Sequence, residues 1–224
     1  MPNLRRRLVA LVAVLLPALA LAAGPERYQL DPVHTRVMFA ISHAGFSNAI
    51  GTVSGSTGTL AFDPDDWTGA TLQASVPLDR LDLGDAKWNR AATAANLLDV
   101  AEYPVATFVS TRIEARDAAH AKVHGTLTLH GVSREIALDV TLNALKRHPL
   151  PPFRRTVGFS ATTTLSRRAF GIDAWPNVIG DSVELRIEAE AVRRRSDGDD
   201  ATETAPPASS APVDTDRTTT DTTP

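Results

Sequence analysis

The stretch that decides the fold is Lys122–Leu142, KVHGTLTLHGVSREIALDVTL. In its first half Val123, Gly125, Leu127 and Leu129 alternate with His124, Thr126, Thr128 and His130. In its second half Ile136, Leu138, Val140 and Leu142 alternate with Ala137, Asp139 and Thr141. A period of two places one set on each face of a pleated strand. The β-branched residues and threonines suit a sheet buried on one side only. Gly131-Val132-Ser133 is read as the small, permissive connection that a hairpin needs. A hairpin with one apolar face is not stable alone in water, so other strands must cover it.

Outward from this hairpin the same alternation recurs. Thr35–Ser42 sets Val37, Phe39 and Ile41 against Arg36, Met38 and Ala40, and Val183–Val192 sets Val183, Leu185, Ile187, Ala189 and Ala191 against Glu184, Arg186, Glu188 and Glu190. Short strands are also expected at Tyr28–Leu30, through Val53, Leu60 and Phe62, and over Leu72–Leu78, Val105–Glu114 and Thr156–Ser166. Gly45, Gly51, Gly55 and Gly58 punctuate the early strands as bends do in a curving sheet. Only Asp85–Leu98 breaks the pattern, with Trp88, Ala91, Ala92, Ala95 and Leu98 at helical spacing and Asp85 placed to cap the start. No strand–helix–strand rhythm is present, so a parallel sheet is excluded as the simplest reading. Closure into an antiparallel barrel removes the exposed edges.

The ends differ from this body. Residues 1–22 combine Arg5-Arg6-Arg7, an apolar run from Leu8 to Leu16 and a small-residue end at Ala18–Ala23, the anatomy of a secretory signal peptide with cleavage after Ala22. The apolar run is shorter than the ~18 residues a spanning helix needs. The expected location is therefore periplasmic. Residues 196–224 are Ser, Thr, Asp, Ala and Pro almost throughout, a composition expected to stay disordered. The chain carries a net charge of −3. Setting aside 1–22 and 196–224 leaves a body, residues 23–195, with 19 acids and 19 bases. A neutral body offers no electrostatic footprint for nucleic acid. There is no cysteine, so neither a disulfide framework nor a thiolate metal site is available.

Gly125-Thr126-Leu127-Thr128-Leu129-His130-Gly131-Val132-Ser133 resembles the most characteristic segment of the YceI-like family of polyisoprenoid-binding proteins. Tyr28–Thr35 and Phe39–His43 resemble the family's opening, Tyr103–Phe108 with Ser110-Thr111 its middle, and Thr162–Thr164 with Phe170-Gly171 and Val183–Leu185 its close. The resemblance implies an all-β, lipocalin-like, antiparallel up-and-down barrel of about eight strands with one short helix near the barrel mouth. It also implies a bound polyisoprenoid or ubiquinone-like lipid, with no other cofactor. The helix departs from the family pattern. Asn89–Thr93 and Asn96–Asp99 stand where an Arg-Asp…His-Leu run and a pair of phenylalanines are usual, so head-group preference does not transfer.

Alternation assigns Phe39, Ile41, Leu127, Leu129, Leu138, Val140, Phe159, Ala161, Leu185 and Ile187 to the barrel interior. His43, at the end of a long strand, is a candidate for the ligand head group or a satisfied polar residue. His34 is placed to pair with Asp31 in a turn, and Arg154-Arg155 and Arg167-Arg168 read either as contacts for an anionic head or as solvated loop charge. His120, His124 and His130 share a parity, yet lack the carboxylate company of a metal site. No Gly-x-Ser-x-Gly elbow or phosphate loop is present, so catalysis would rest on His43 or His130 as a general base. Three readings stand side by side: a lipid carrier, an enzyme acting on an isoprenoid, and a filled barrel acting as an interaction module. Transient membrane contact and a homodimer are both compatible with the first.

Overall fold

A computed structural model describes residues 24–194; the leader and tail assigned above lie outside the described residues. Within them the strands are β1 (Glu26–Leu30), β2 (Arg36–His43), β3 (Ser47–Val53), β4 (Thr57–Phe62), β5 (Thr71–Pro77), β6 (Leu81–Asp82), β7 (Val105–Ala115), β8 (His120–Leu129), β9 (Val132–Arg147), β10 (Arg155–Ser166) and β11 (Ile179–Arg193). One helix, α1 (Ala86–Thr93), sits between β6 and β7. Every strand pairing is antiparallel. The order β1-β4-β5-β7-β8-β9-β10-β11 returns to β1, closing a ring of eight. The β2–β3 hairpin with β6 continues the wall where β1 stops, because the upper half of β11 pairs with β2.

The central hairpin turns one residue earlier than the sequence reading placed it. His130 (φ 51°) and Gly131 (φ 71°) form the turn, and Val132 already pairs with Leu129. Two successive left-handed residues match the twist of the flanking strands, which a longer loop does not do as well. A Cβ on Gly131 would lie 2.7 Å from the Tyr103 ring. The His130 ring packs on that same tyrosine, centroids 4.8 Å apart.

Asp85 caps α1 by accepting from the amides of Lys87 and Trp88. The helix ends at Thr93 rather than at Leu98. Beyond it the chain turns tightly, with Leu97 N–H donating to Ala94 and Leu98 N–H to Ala92. This brings the neighbours Leu97 and Leu98 together against Phe170 and Ile172, whereas a continuing helix would splay them around its axis.

Two apolar clusters close the barrel at different heights. At one end Tyr28, Phe62, Val157 and Ala191 are fully buried and form a plug. At the other Leu165, Phe170 and Ile172 pack with Leu97, Leu98 and Leu129 into a partial cover. The space between them is where function has to be sought.

Candidate functional site

That space is a cavity of about 650 Å³ with an almost wholly apolar wall. All eleven residues nominated from sequence stand on it: Phe39, Ile41 and His43 on β2, Leu127 and Leu129 on β8, Leu138 and Val140 on β9, Phe159 and Ala161 on β10, Leu185 and Ile187 on β11. Strand register arranges them in rows. Phe39 faces Leu185, and Ala161 lies between Val140 and Ile187. The floor is aromatic, with Phe62, Trp67 and Phe159 packed edge to face at centroid separations of 5.0 to 6.2 Å. Edge-to-face contact places the positive ring edge on the negative face of the next ring, which favours one fixed arrangement.

The barrel is hollow for a local reason. Phe39 pairs across the sheet with Gly51, and an added Cβ there would come within 2.4 Å of the Phe39 ring. Phe108 lies over Gly125 in the same way, again at 2.4 Å from an added Cβ. Each glycine lets a phenylalanine ring lie along the wall instead of projecting into the lumen. Ala74, Ala106, Ala161 and Ala189 complete the wall with side chains too short to fill it.

Sequence reasoning missed part of the wall. Trp67, Phe170, Ile172, Trp175 and Val178 reach the cavity from loops and short turns, where no period marks an inward face. Trp88 on α1 also lines it, and its helical spacing with Ala91 and Leu98 was the available signal. Trp88, Trp175 and Val178 are 42%, 58% and 39% exposed while lining the cavity, so this is the open end.

Polar groups are few and mostly committed elsewhere. His43 packs tilted against Trp88, ring centroids 5.2 Å apart, and makes no side-chain hydrogen bond among the described residues. His130 is not on the wall; its Nδ1 faces the Phe170 carbonyl at 3.2 Å. A general base needs an orienting partner, and neither histidine is held by a carboxylate among the described residues. Arg167 is not solvated loop charge: it is 5% exposed and lines the cavity. It donates to the carbonyls of Gly180, Ile172 and Ile179 at 2.7 to 2.9 Å, strapping the loop that carries Trp175 and Val178. Burial, with Arg168 beside it, pulls its pKa below the ordinary arginine value, against the pull of Asp181 and Asp173. Arg155 pairs with Glu26 at 2.7 Å, at the closed end. His34 and His120 pair with Asp31 and Asp117 in surface turns. No group of three or more metal-ligating side chains occurs among the described residues.

The model of the YceI-like domain matches residues 28–191. A UPF0312 protein of Pseudomonas savastanoi is 33% identical over 191 residues, covering 83% of this chain and 98% of its own. One from Pectobacterium atrosepticum is 30% identical over 194 residues, covering 86% and 100%. Among solved structures, Burkholderia cenocepacia BcnA superposes with a TM-score of 0.64 at 22% identity over 72% of this chain and 98% of its own. A polyisoprenoid-binding domain of Saccharophagus degradans, implicated in plant cell wall breakdown, does so at 0.58 and 16% identity, covering 75% and 98%. The structural likenesses concern the fold; the sequence match spans nearly all the described residues, and on it the chain belongs to the YceI-like domain family.

Proposed function

We propose that this protein is a periplasmic carrier that sequesters a long isoprenoid, a polyisoprenoid or a quinone-type lipid, inside the barrel. The observation that carries this reading is the cavity: about 650 Å³, apolar, plugged at one end and open at the other. Each chain carbon moved from water into such a space contributes roughly 0.8 kcal/mol, so affinity grows with chain length. A lumen this apolar has little to offer a charged or sugar-like ligand. The polyisoprenoid-binding relative from Saccharophagus degradans supports the ligand class, and residues 1–22 support the compartment. Loading and unloading would require transient contact with a membrane.

The enzyme reading needs a carboxylate or similar group to orient His43 or His130; among the described residues His43 contacts Trp88 and His130 faces the Phe170 carbonyl. The cavity of about 650 Å³ favours the carrier reading over the filled-barrel alternative. Gentle purification from a periplasmic extract, followed by mass spectrometry of the intact protein and of extracted lipid, tests the proposal. We expect a mature chain beginning at Ala23 and a stoichiometric prenyl lipid. Protein recovered without lipid, and unable to take up a prenol or quinone added in detergent, would sink the carrier reading.

A further inference from the structure

Three of the four exposed Phe and Trp side chains among the described residues stand at the open end of the cavity. Phe46, at the tip of the β2–β3 hairpin, is 93% exposed, and Trp175 is 58% exposed. Ala44 and Gly45 are both left-handed, which turns the chain so that Phe46 projects outward. The surrounding elements are tied into one collar. Ala44 N–H donates to the Val178 carbonyl at 2.6 Å, Val178 N–H to that of Trp175 at 2.9 Å, and the His43 ring packs against Trp88. Because Trp88, Trp175 and Val178 also line the cavity, the exposed collar and the apolar lumen form one continuous surface.

We propose that this collar docks on the interfacial zone of a zwitterionic lipid bilayer, with Phe46, Trp88 and Trp175 inserted and the cavity mouth facing the acyl chains. The inference rests on the carrier reading above. Indole and phenyl rings suit the membrane–water interface. Continuity of collar and lumen lets a prenyl chain pass from bilayer to cavity without crossing water, where every exposed carbon opposes transfer. Charge near the collar is mixed, with Lys87 and Arg90 on α1 against Asp85 at its cap and Asp173 in the loop. Apolar insertion, not attraction to anionic head groups, is therefore the driving interaction. A competing surface exists at the plugged end, where Lys146, Arg147 and Arg154 surround exposed Leu150 and Phe153.

The test uses phosphatidylcholine vesicles with brominated acyl chains, read by tryptophan quenching and by flotation. Trp67 is buried in the floor, so quenching reports Trp88 and Trp175. Wild type is expected to float and to be quenched, with little dependence on salt. Phe46→Ser with Trp175→Ser should bind about a hundredfold more weakly, about tenfold per lost anchor. Should that pair misfold, Phe46→Ser alone is expected to lose about tenfold. Leu150→Ser with Phe153→Ser should bind as wild type does. Absence of quenching overturns the proposal, as does salt-sensitive binding to anionic vesicles that is lost in the Leu150/Phe153 variant. A dimer closed through the collar, unopened by vesicles in sedimentation, overturns it too. Lipid recovered from a wild type that ignores vesicles would remove collar docking alone; vesicle binding by a protein that carries no lipid would remove the carrier reading alone.

Discussion

Ala161→Trp distinguishes a lumen that holds ligand from a core that merely looks loose. Ala161 is 8% exposed, lies on the cavity wall, and is flanked in register by Val140 and Ile187. In a close-packed interior the added ring drives neighbours off their rotamers at a cost of ~1–3 kcal/mol. For a domain of this size each kcal/mol lowers Tm by about 2–4 °C, so a filled core would melt roughly 2–12 °C lower. Here the cavity of about 650 Å³ lies beside the methyl group, and the ring can turn into it. Delipidated variant and wild type should therefore melt within about 2 °C of each other. Ligand is affected differently. The ring displaces about nine chain carbons, worth about 7 kcal/mol of burial at ~0.8 kcal/mol each, an upper limit of about five decades in affinity. A flexible chain recovers part of this by sliding toward the mouth, so we expect a loss of at least about a hundredfold. The assay pairs melting of delipidated protein with mass-spectrometric measurement of lipid bound per chain. A Tm drop beyond about 6 °C would refute the hollow-lumen reasoning, and an undiminished lipid load would place Ala161 off the binding path.

Gly125→Ala puts a methyl group 2.5 Å from the Val109 carbonyl oxygen as well as against Phe108, and a backbone neighbour cannot step aside. We expect about 2–3 kcal/mol of destabilisation in urea melts; an unchanged midpoint would show that β7 and β8 move apart freely. Arg167→Met removes three hydrogen bonds to carbonyls that hold the loop before β11. A loss of about 3 kcal/mol is expected, with faster lipid release, and wild-type amide exchange at Ile179 and Gly180 would contradict it. His34→Asn tests a surface pair. The hydrogen bond that His34 donates to the Asp31 carboxylate raises the His34 pKa above its ordinary 6.5, so its contribution is complete below that value and fades as pH rises through the raised one. Partial burial pushes Asp31 up, but the His34 hydrogen bond and the amides of Val33 and His34 outweigh it and hold it below 3.8. Its share is present above that value and fades as pH falls through the lowered one. The melting gap between wild type and His34→Asn should therefore be widest between pH 3.8 and 6.5 and close at higher pH; a gap constant from about pH 5 to about 9 would exclude the pair as its source.

How much of this was legible depends on which residues owe their position to a period. The faces of β8, and of β9 as far as Leu142, follow from alternation alone, since a strand buried on one side imposes period two whatever covers it. The Asp85 cap and the Asp31–His34 turn were readable because their partners lie two or three residues away. Asn143 was not readable. Gly158 pairs with Ala144 and Phe159 with Leu142, so Asn143 is left as a bulge and both Leu142 and Leu145 pack toward the main cluster. Nothing local marks that slip; it is set by register with β10. Arg167 and Arg168 are indistinguishable as text, yet one is buried across three carbonyls and the other lies exposed beside Asp181. Their difference is made by a loop closing from residues 172–180, more than any window around them contains.

The emptiness of the barrel belongs to pairs of residues rather than to single ones. Small wall residues such as Ala74, Ala106 and Ala189 leave space here, but the same composition would fill a narrower or differently registered barrel. What opens the lumen is that Phe39 meets Gly51 across one strand pair while Phe108 lies over Gly125 at another. Shift either pairing by one residue and every side chain on that strand changes face. Two rings would then point into the lumen or out of it, and the same sequence would enclose less apolar space. The cavity is thus encoded at the level of register, which the left-handed Ala44-Gly45 turn sets between β2 and β3 and the shift between Ser110 and Arg112 sets between β7 and β8. For the carrier reading this has a consequence: substitutions that leave every lining residue intact but loosen register should diminish lipid capacity before they diminish secondary structure.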